Sequence, residues 1–194
     1  GLEQAIAEGR LATLPRLGAK TAEDILRHIR SLRTKEWRVP LSRALSVAEQ
    51  VIGGLRDVCP GIYQIDAVGS LRRWRETIGG IDIIGTAEDP AVVINSFVKL
   101  PMVEEVVVQG HTKASVVVHG GVQVDLRIVN DDILGALAQY LTGNRQHNIG
   151  LRDHANKIGL SLGGYGITDV RTGQFEKFTD EASFYSRLSL QFIP

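Results

Sequence analysis

Gly69-Ser70-Leu71-Arg72-Arg73 gathers a hydroxyl, the free backbone N–H groups of a glycine turn and two guanidinium groups into five consecutive residues. These are the groups that hold a polyphosphate: turn N–H groups form an anion-binding concavity, and guanidinium groups bind phosphate oxygens in pairs. Alone, five residues are a weak signal. Two acids strengthen it, Asp82 within Gly79-Gly80-Ile81-Asp82-Ile83-Ile84 and Asp125 within Gln123-Val124-Asp125-Leu126-Arg127-Ile128. A carboxylate inside an apolar run is costly to bury unless it is paired or bound to a metal ion. Each acid could instead cap a turn or pair with Arg127. A further candidate is Leu14-Pro15-Arg16-Leu17-Gly18-Ala19-Lys20-Thr21-Ala22, a turn opening a helix with a cation in its first turn, which can aim N–H groups at a phosphate. A plain helical corner accounts for the same residues.

These groups need elements to position them. Ala22, Ile25, Leu26, Ile29 and Leu32 recur at helical spacing, so residues 1–38 are expected to form a small helical module. A second helix is expected over 41–55, with Pro40 at its start, the stripe Ala44, Leu45, Ala48, Val51, Ile52 and Leu55, and a break across 53–61. Short β-branched runs then predict strands at 62–68, 81–86, 103–108, 114–118 and 122–129. The last two, joined by His119-Gly120-Gly121, form the clearest hairpin. Helices are expected over 133–141, with Asp131 and Asp132 as N-caps, and over 146–158, closed by Gly159. Helices, a mostly antiparallel sheet and helices again give an α+β class rather than a doubly wound one.

The ordered motifs resemble the nucleotidyltransferase palm of family X DNA polymerases, in particular the bacterial, polymerase beta-like members. The similarity continues through Thr142-Gly143-Asn144-Arg145-Gln146-His147-Asn148-Ile149-Gly150-Leu151-Arg152, like the family's thumb motif, and Tyr165-Gly166, and it spans nearly the whole chain. It implies three parts: a helix-hairpin-helix DNA-binding module at 1–38, a palm at 39–130 and a thumb at 131–194. It implies that Gly69, Ser70 and Arg73 hold the triphosphate of an incoming dNTP, and that Asp82 and Asp125 are catalytic and bind Mg²⁺ or Mn²⁺. Tyr140 and Leu141 fall where the family packs the nucleotide sugar, Asn148 where it meets the base edge and Arg152 where it touches the template; Thr142-Gly143 supplies the turn between them, with Gly143 among the nucleotide-binding residues. Leu17, Gly18, Lys20 and Thr21 fall where the helix-hairpin-helix grips the DNA backbone. The implied partners are gapped or primer-template DNA and dNTP.

The chain departs from the family at five places, one of them Arg145, which differs from vertebrate relatives. Gly80 stands where the family has the first acid of an Asp-x-Asp pair, and only Asp82 remains on that face of the strand. Trp74 replaces a small residue, and is expected to pack beneath the phosphate pocket rather than cap it. Arg16 replaces a glycine of the helix-hairpin-helix, and Leu141 an aromatic residue of vertebrate relatives. The resemblance also implies that an amino-terminal lyase-type domain and a carboxy-terminal phosphoesterase domain lie outside this sequence.

Composition sets the remaining bounds. The 194 residues are 43% hydrophobic and 23% charged, an ordinary folded composition. Lys plus Arg and Asp plus Glu are both 22, yet residues 1–45 hold nine cations against five acids. That unevenness fits a DNA contact and a solvated helix face equally well. The single Cys59 excludes an intramolecular disulfide, and no Cys/His cluster has zinc spacing. The five histidines are read as surface or packing residues. With no apolar stretch long enough to span a bilayer, a cytoplasmic monomer without membrane contact is expected. Three functions compete: a metal-dependent gap-filling polymerase core disabled in part by Gly80; an inactive DNA- or nucleotide-binding module of the same fold; and a nucleotidyltransferase acting on a protein or small molecule. The third explains neither the helix-hairpin-helix-like turn nor the thumb motif.

Overall fold

A computed structural model describes residues 38–193. The expected helix-hairpin-helix module, with Leu17, Gly18, Lys20 and Thr21, lies outside the described residues. Strand β1 (Val39–Pro40) leads into helix α1 (Leu41–Val58), with Pro40 at the N-cap. Its buried stripe is Ala44, Ala48, Val51 and Leu55. The helix runs through Gly53 and Gly54, where a break was expected. Burial of Val51 and Leu55 on either side holds the turn, and Gly54 lies so close to Leu100 that a Cβ there would stand 3.3 Å from a leucine methyl. Packing thus outweighs the cost of two helical glycines, about 1 kcal/mol each.

The main sheet is ordered β2-β4-β7-β6-β5. Its strands are β2 (Ile62–Val68), β4 (Ile81–Ala87), β5 (Val103–Gln109), β6 (Lys113–Val118) and β7 (Val122–Ile128). Between β2 and β4 come a helical turn, α2 (Gly69–Arg72), and β3 (Thr77–Ile78), which pairs with β1. Only β4 and β7 run parallel; the other neighbours are antiparallel. The class is therefore α+β with a mixed, mostly antiparallel sheet, as the sequence predicts.

Period-two alternation divides the sheet into two faces. Ile81, Ile83, Val116, Val118, Val124, Leu126 and Ile128 turn to one side and form the largest core with α1 and with α3 (Pro90–Phe97). The sequence reading missed α3 because Val92, Val93 and Ile94 look like strand residues. Asp89-Pro90 starts it: Pro90 occupies the first turn, and the Asp89 carboxylate accepts from the N–H groups of Ala91 and Val92 at 2.9 and 3.3 Å. On the other face, Val68 and Ile84 meet Leu134 and Leu137 of α4 (Leu134–Thr142).

Beyond the sheet come a 3-10 turn (Asp131–Ile133), α4, α5 (Arg145–Lys157), a three-stranded sheet β8 (Leu160–Gly163), β9 (Gly166–Asp169) and β10 (Phe175–Glu176), and α6 (Glu181–Arg187). Strands β8 to β10 and α6 were not read from the sequence. The expected capping by Asp131 and Asp132 is not found: neither side chain caps the turn or α4, and Asp132 instead pairs with Lys177 at 2.7 Å. Asn144 and Asp180 are the side chains that cap α5 and α6. Ala136, Leu151, Ala155, Leu160, Ile167, Phe178, Phe184 and Leu188 form the core of this half. Among the described residues no helix is long and apolar enough to cross a membrane.

Helix α4 approaches the start of α6 so closely that a Cβ on Gly135 would collide with the Asp180 backbone, whereas a Cβ on Gly53 meets nothing within 4 Å. Urea unfolding should therefore show Gly135→Ala destabilised by about 1–3 kcal/mol through overpacking. Gly53→Ala should be stabilised by about 0.5–1 kcal/mol, since alanine loses less entropy in a helix.

Candidate active site

The sheet register assembles the acids. Val68 pairs with Asp82, Asp82 with Asp125 across the parallel β4–β7 ladder, and Asp125 with Ser115 on β6. Gln123, Asp125 and Arg127 alternate with buried Val122, Val124, Leu126 and Ile128, so they line one face of β7. Asp125 accepts a short hydrogen bond from Ser115 Oγ, and Gln123 Nε2 lies 3.0 Å from each of its carboxylate oxygens. Among the described residues neither Asp82 nor Asp125 caps a turn or forms an ion pair with Arg127 within 4.0 Å. Burial, and then the neighbouring Asp125, push Asp82 above the usual carboxylate range; Arg127 and Arg73 pull the other way.

Gly69 follows directly on Val68. It is a glycine for two reasons: its φ is +70°, and a Cβ there would stand 2.5 Å from Asp82 Oδ2. The α2 turn is closed by N–H groups of Arg73 to Gly69 O, Trp74 to Leu71 O and Arg75 to Ser70 O, at 3.3, 3.0 and 3.2 Å. Buried Leu71 anchors it. Its two arginines reach across to the end of α4. Arg73 Nη1 donates to the Thr142 carbonyl in a short contact, Arg72 Nη1 donates to Thr142 Oγ1 at 3.1 Å, and Arg72 also pairs with Glu181 at 2.6 Å. Burial and the charge of Arg75 lower the Arg73 pKa, and Asp82 opposes them.

The turn Thr142-Gly143-Asn144 joins α4 to α5; Gly143 has φ +56°, and its bond to Asn144 is cis. Asn148 on α5 is fixed at both ends of its amide: Oδ1 accepts from Gln139 at 2.8 Å and Nδ2 donates to Tyr140 O at 2.8 Å. The amide N–H of buried Gln139 thereby finds a partner. The Arg152 guanidinium stands 6.0 Å from the Tyr140 ring centroid, within cation–π range.

One cleft of about 580 Å³ brings these stretches together. Gly69, Ser70, Arg73, Asp82, Tyr140, Leu141, Gly143, Asn148 and Arg152 all line it, with Arg145 as an additional cation. Asp125 lines an adjoining hollow of about 300 Å³ with Ser115, Lys113 and Arg127. Asp82 and Leu141 border both. Gly80 contributes no ligand, and among the described residues no three His, Cys, Asp or Glu side chains gather as a metal site. Asp82 and Asp125 are the pair suited to a hard divalent cation, because two half-buried like charges side by side call for a counter-ion.

Residues 137–194 match the family model for the DNA polymerase beta thumb. Over the full chain, across 195 aligned positions, the sequence is 31% identical to the DNA polymerase/3'-5' exonuclease PolX of Bacillus subtilis (strain 168). The chain belongs to the family X DNA polymerases. It spans about a third, 34%, of the length of that relative.

Within this family X chain, sequence reasoning missed Ser115, Gln123 and Gln139, and it named Arg145 in the thumb motif without a place in the site. The hairpin around Gly120-Gly121 could have revealed Ser115, since it sets residue 115 opposite 125. Nothing in the spacing marks Gln123. Trp74 requires a correction: it does not pack under the phosphate turn but is 70% exposed, in a left-handed conformation with φ +53°. The α2 turn turns the indole outward, away from any core.

Asp82 carries a testable sign. Its pKa is raised by folding, so its contribution to stability is present below the unfolded pKa and lost as pH rises through the folded value. Asp82→Asn should therefore raise the thermal midpoint at neutral pH in metal-free buffer. The gain should vanish below about pH 4, where the unfolded carboxyl is also protonated. Melting curves from pH 3 to 8 check it; a gain that is constant across pH contradicts it.

Proposed function

We propose that this chain is a polymerase core that transfers a nucleotidyl group from dNTP to a primer 3′-hydroxyl on gapped DNA, with its rate reduced by Gly80. The observation that carries the reading is convergence: residues 69–73 and 140–152, far apart in sequence, line a single cleft beside Asp82. In this reading residues 1–38 hold the DNA backbone, with Leu17, Gly18, Lys20 and Thr21 as contacts. Residues 39–130 act as palm and 131–194 as thumb. The protein works in the cytoplasm as a monomer.

Each side chain has a task. Ser70 Oγ and the α2 N–H groups cradle the triphosphate, and Arg73 neutralises it. Tyr140, Leu141 and Gly143 form the wall against the sugar, and Asn148, its amide held rigid, presents one face to the base. Arg152 meets the template strand. Family X polymerases use divalent metal ions; Asp82 and Asp125 would hold Mg²⁺ or Mn²⁺, which supplies charge neutralisation at the phosphates and activation of the hydroxyl. Leu141, bordering both hollows, separates the nucleotide from the side on which a primer end reaches Asp125.

Gly80 decides how much activity remains. A Cβ there would meet only the Gln123 carbonyl, at 3.8 Å, and its φ is not in the left-handed region, so an aspartate side chain has room. Single-nucleotide incorporation into a one-nucleotide gap, with Mg²⁺ and then Mn²⁺, should be slow for the chain itself. It should be at least about 100-fold faster for Gly80→Asp, since a metal ligand is worth several kcal/mol of transition-state stabilisation. Gly80 also favours a second reading, a nucleotide- or DNA-binding module without turnover; incorporation by neither protein, with dNTP binding retained, selects it. In the active variant Arg73→Ala should raise KM for dNTP about tenfold or more, the worth of a charged hydrogen bond.

A further inference from the structure

Gly80 and Gln123 are adjacent across the β4–β7 ladder: the register begins at Ile81 with Val124, and the Cβ position of Gly80 points toward the Gln123 carbonyl. The place that lacks a carboxylate thus lies beside the residue that donates an amide to Asp125. A carboxylate has about four acceptor positions, two on each oxygen. On Asp125, Oδ1 accepts from both Ser115 Oγ and Gln123 Nε2, and Oδ2 accepts from Gln123 Nε2. One position remains, on Oδ2. By contrast, no hydrogen bond or ion pair is formed by the Asp82 carboxylate among the described residues.

We infer that Gln123 and Gly80 together restrict this centre to one tightly held divalent cation, bound by Asp82 and by Oδ2 of Asp125. Charge supports the same count. Two carboxylates balance one dication, and the hollow around them already contains the cations Lys113 and Arg127. A second dication would leave an excess of positive charge in a half-buried site, with a single protein oxygen to hold it. The amide of Gln123 is therefore a competitor for the metal, in contrast to a hydrogen-bond partner that orients a ligand and strengthens binding.

The inference rests on the metal-binding reading above, but its test needs neither DNA nor turnover. Mn²⁺ is titrated into the chain and the free ion counted by electron paramagnetic resonance. One Mn²⁺ per chain is expected. Gln123→Met, which keeps the length of the side chain and removes the amide, should keep that count and tighten binding roughly fivefold, the worth of one released hydrogen bond. The double variant Gly80→Asp/Gln123→Met should bind two. Two equivalent ions on the unaltered chain, no ion at all, or weaker binding in Gln123→Met would each overturn the inference. Failure of nucleotide incorporation with one Mn²⁺ bound would count against the polymerase reading and leave this one standing.

Discussion

The parallel pairing of β4 with β7 is the constraint on which the rest of the site depends. It sets Asp82 directly beside Asp125 on one face of the sheet, while Ile81, Ile83, Val124 and Leu126 are buried on the other. Because side chains alternate strictly, slipping either strand by one residue would bury the acids and expose the core. Hydrophobic burial thus fixes where the charges stand, and the molecule accepts repulsion between two carboxylates as a consequence. The raised pKa of Asp82 is burial first, with that repulsion added to it, expressed as a proton affinity.

A second link makes the cleft one site instead of two surfaces. Gly69 brings the α2 turn up against Asp82, and Arg72 and Arg73 carry it across to Thr142 at the end of α4. The Thr142 carbonyl lies at a helix end, where carbonyls lack intrahelical partners and the dipole favours cations. Arg73 thus satisfies a helix terminus while facing the space assigned to a triphosphate. A bound anion would compete for the same guanidinium, so nucleotide binding and the contact between the two halves of the cleft draw on a shared group.

Much of this was legible in the sequence, and the failures have identifiable causes. Strand β2 was read to its boundaries and β4 to within a residue, because β-branched runs between glycines and acids leave few alternatives. Period two sets residues 80 and 82 on one face of their strand, but that Asp125 stands beside Asp82 was implied by the family resemblance and depends on the register of β4 with β7. Helix α3 was lost because Val92, Val93 and Ile94 favour strands, and a Pro90 start with an Asp89 cap outweighed them. Strands β8 to β10 are at most four residues long, too short to show a period. Ser115 and Gln123 escaped notice for a different reason: neither residue type announces chemistry, and each matters only through a neighbour across or along the strand.

Trp74 shows how local backbone geometry can overrule a side chain's preference. A non-glycine residue in the left-handed region costs roughly 1–2 kcal/mol, and an indole left in solvent forgoes its burial. The conformation is imposed from both sides. Upstream, the N–H groups of Arg73, Trp74 and Arg75 close the α2 turn; downstream, Thr77 and Ile78 must pair with Pro40 and Val39, placing Ile78 in the core. Only residues 73–76 connect α2 to β3, and Trp74 takes its left-handed conformation within that short connection. The turn that holds the arginines over the cleft therefore sets the position of Trp74, and a smaller residue would serve that turn at lower cost.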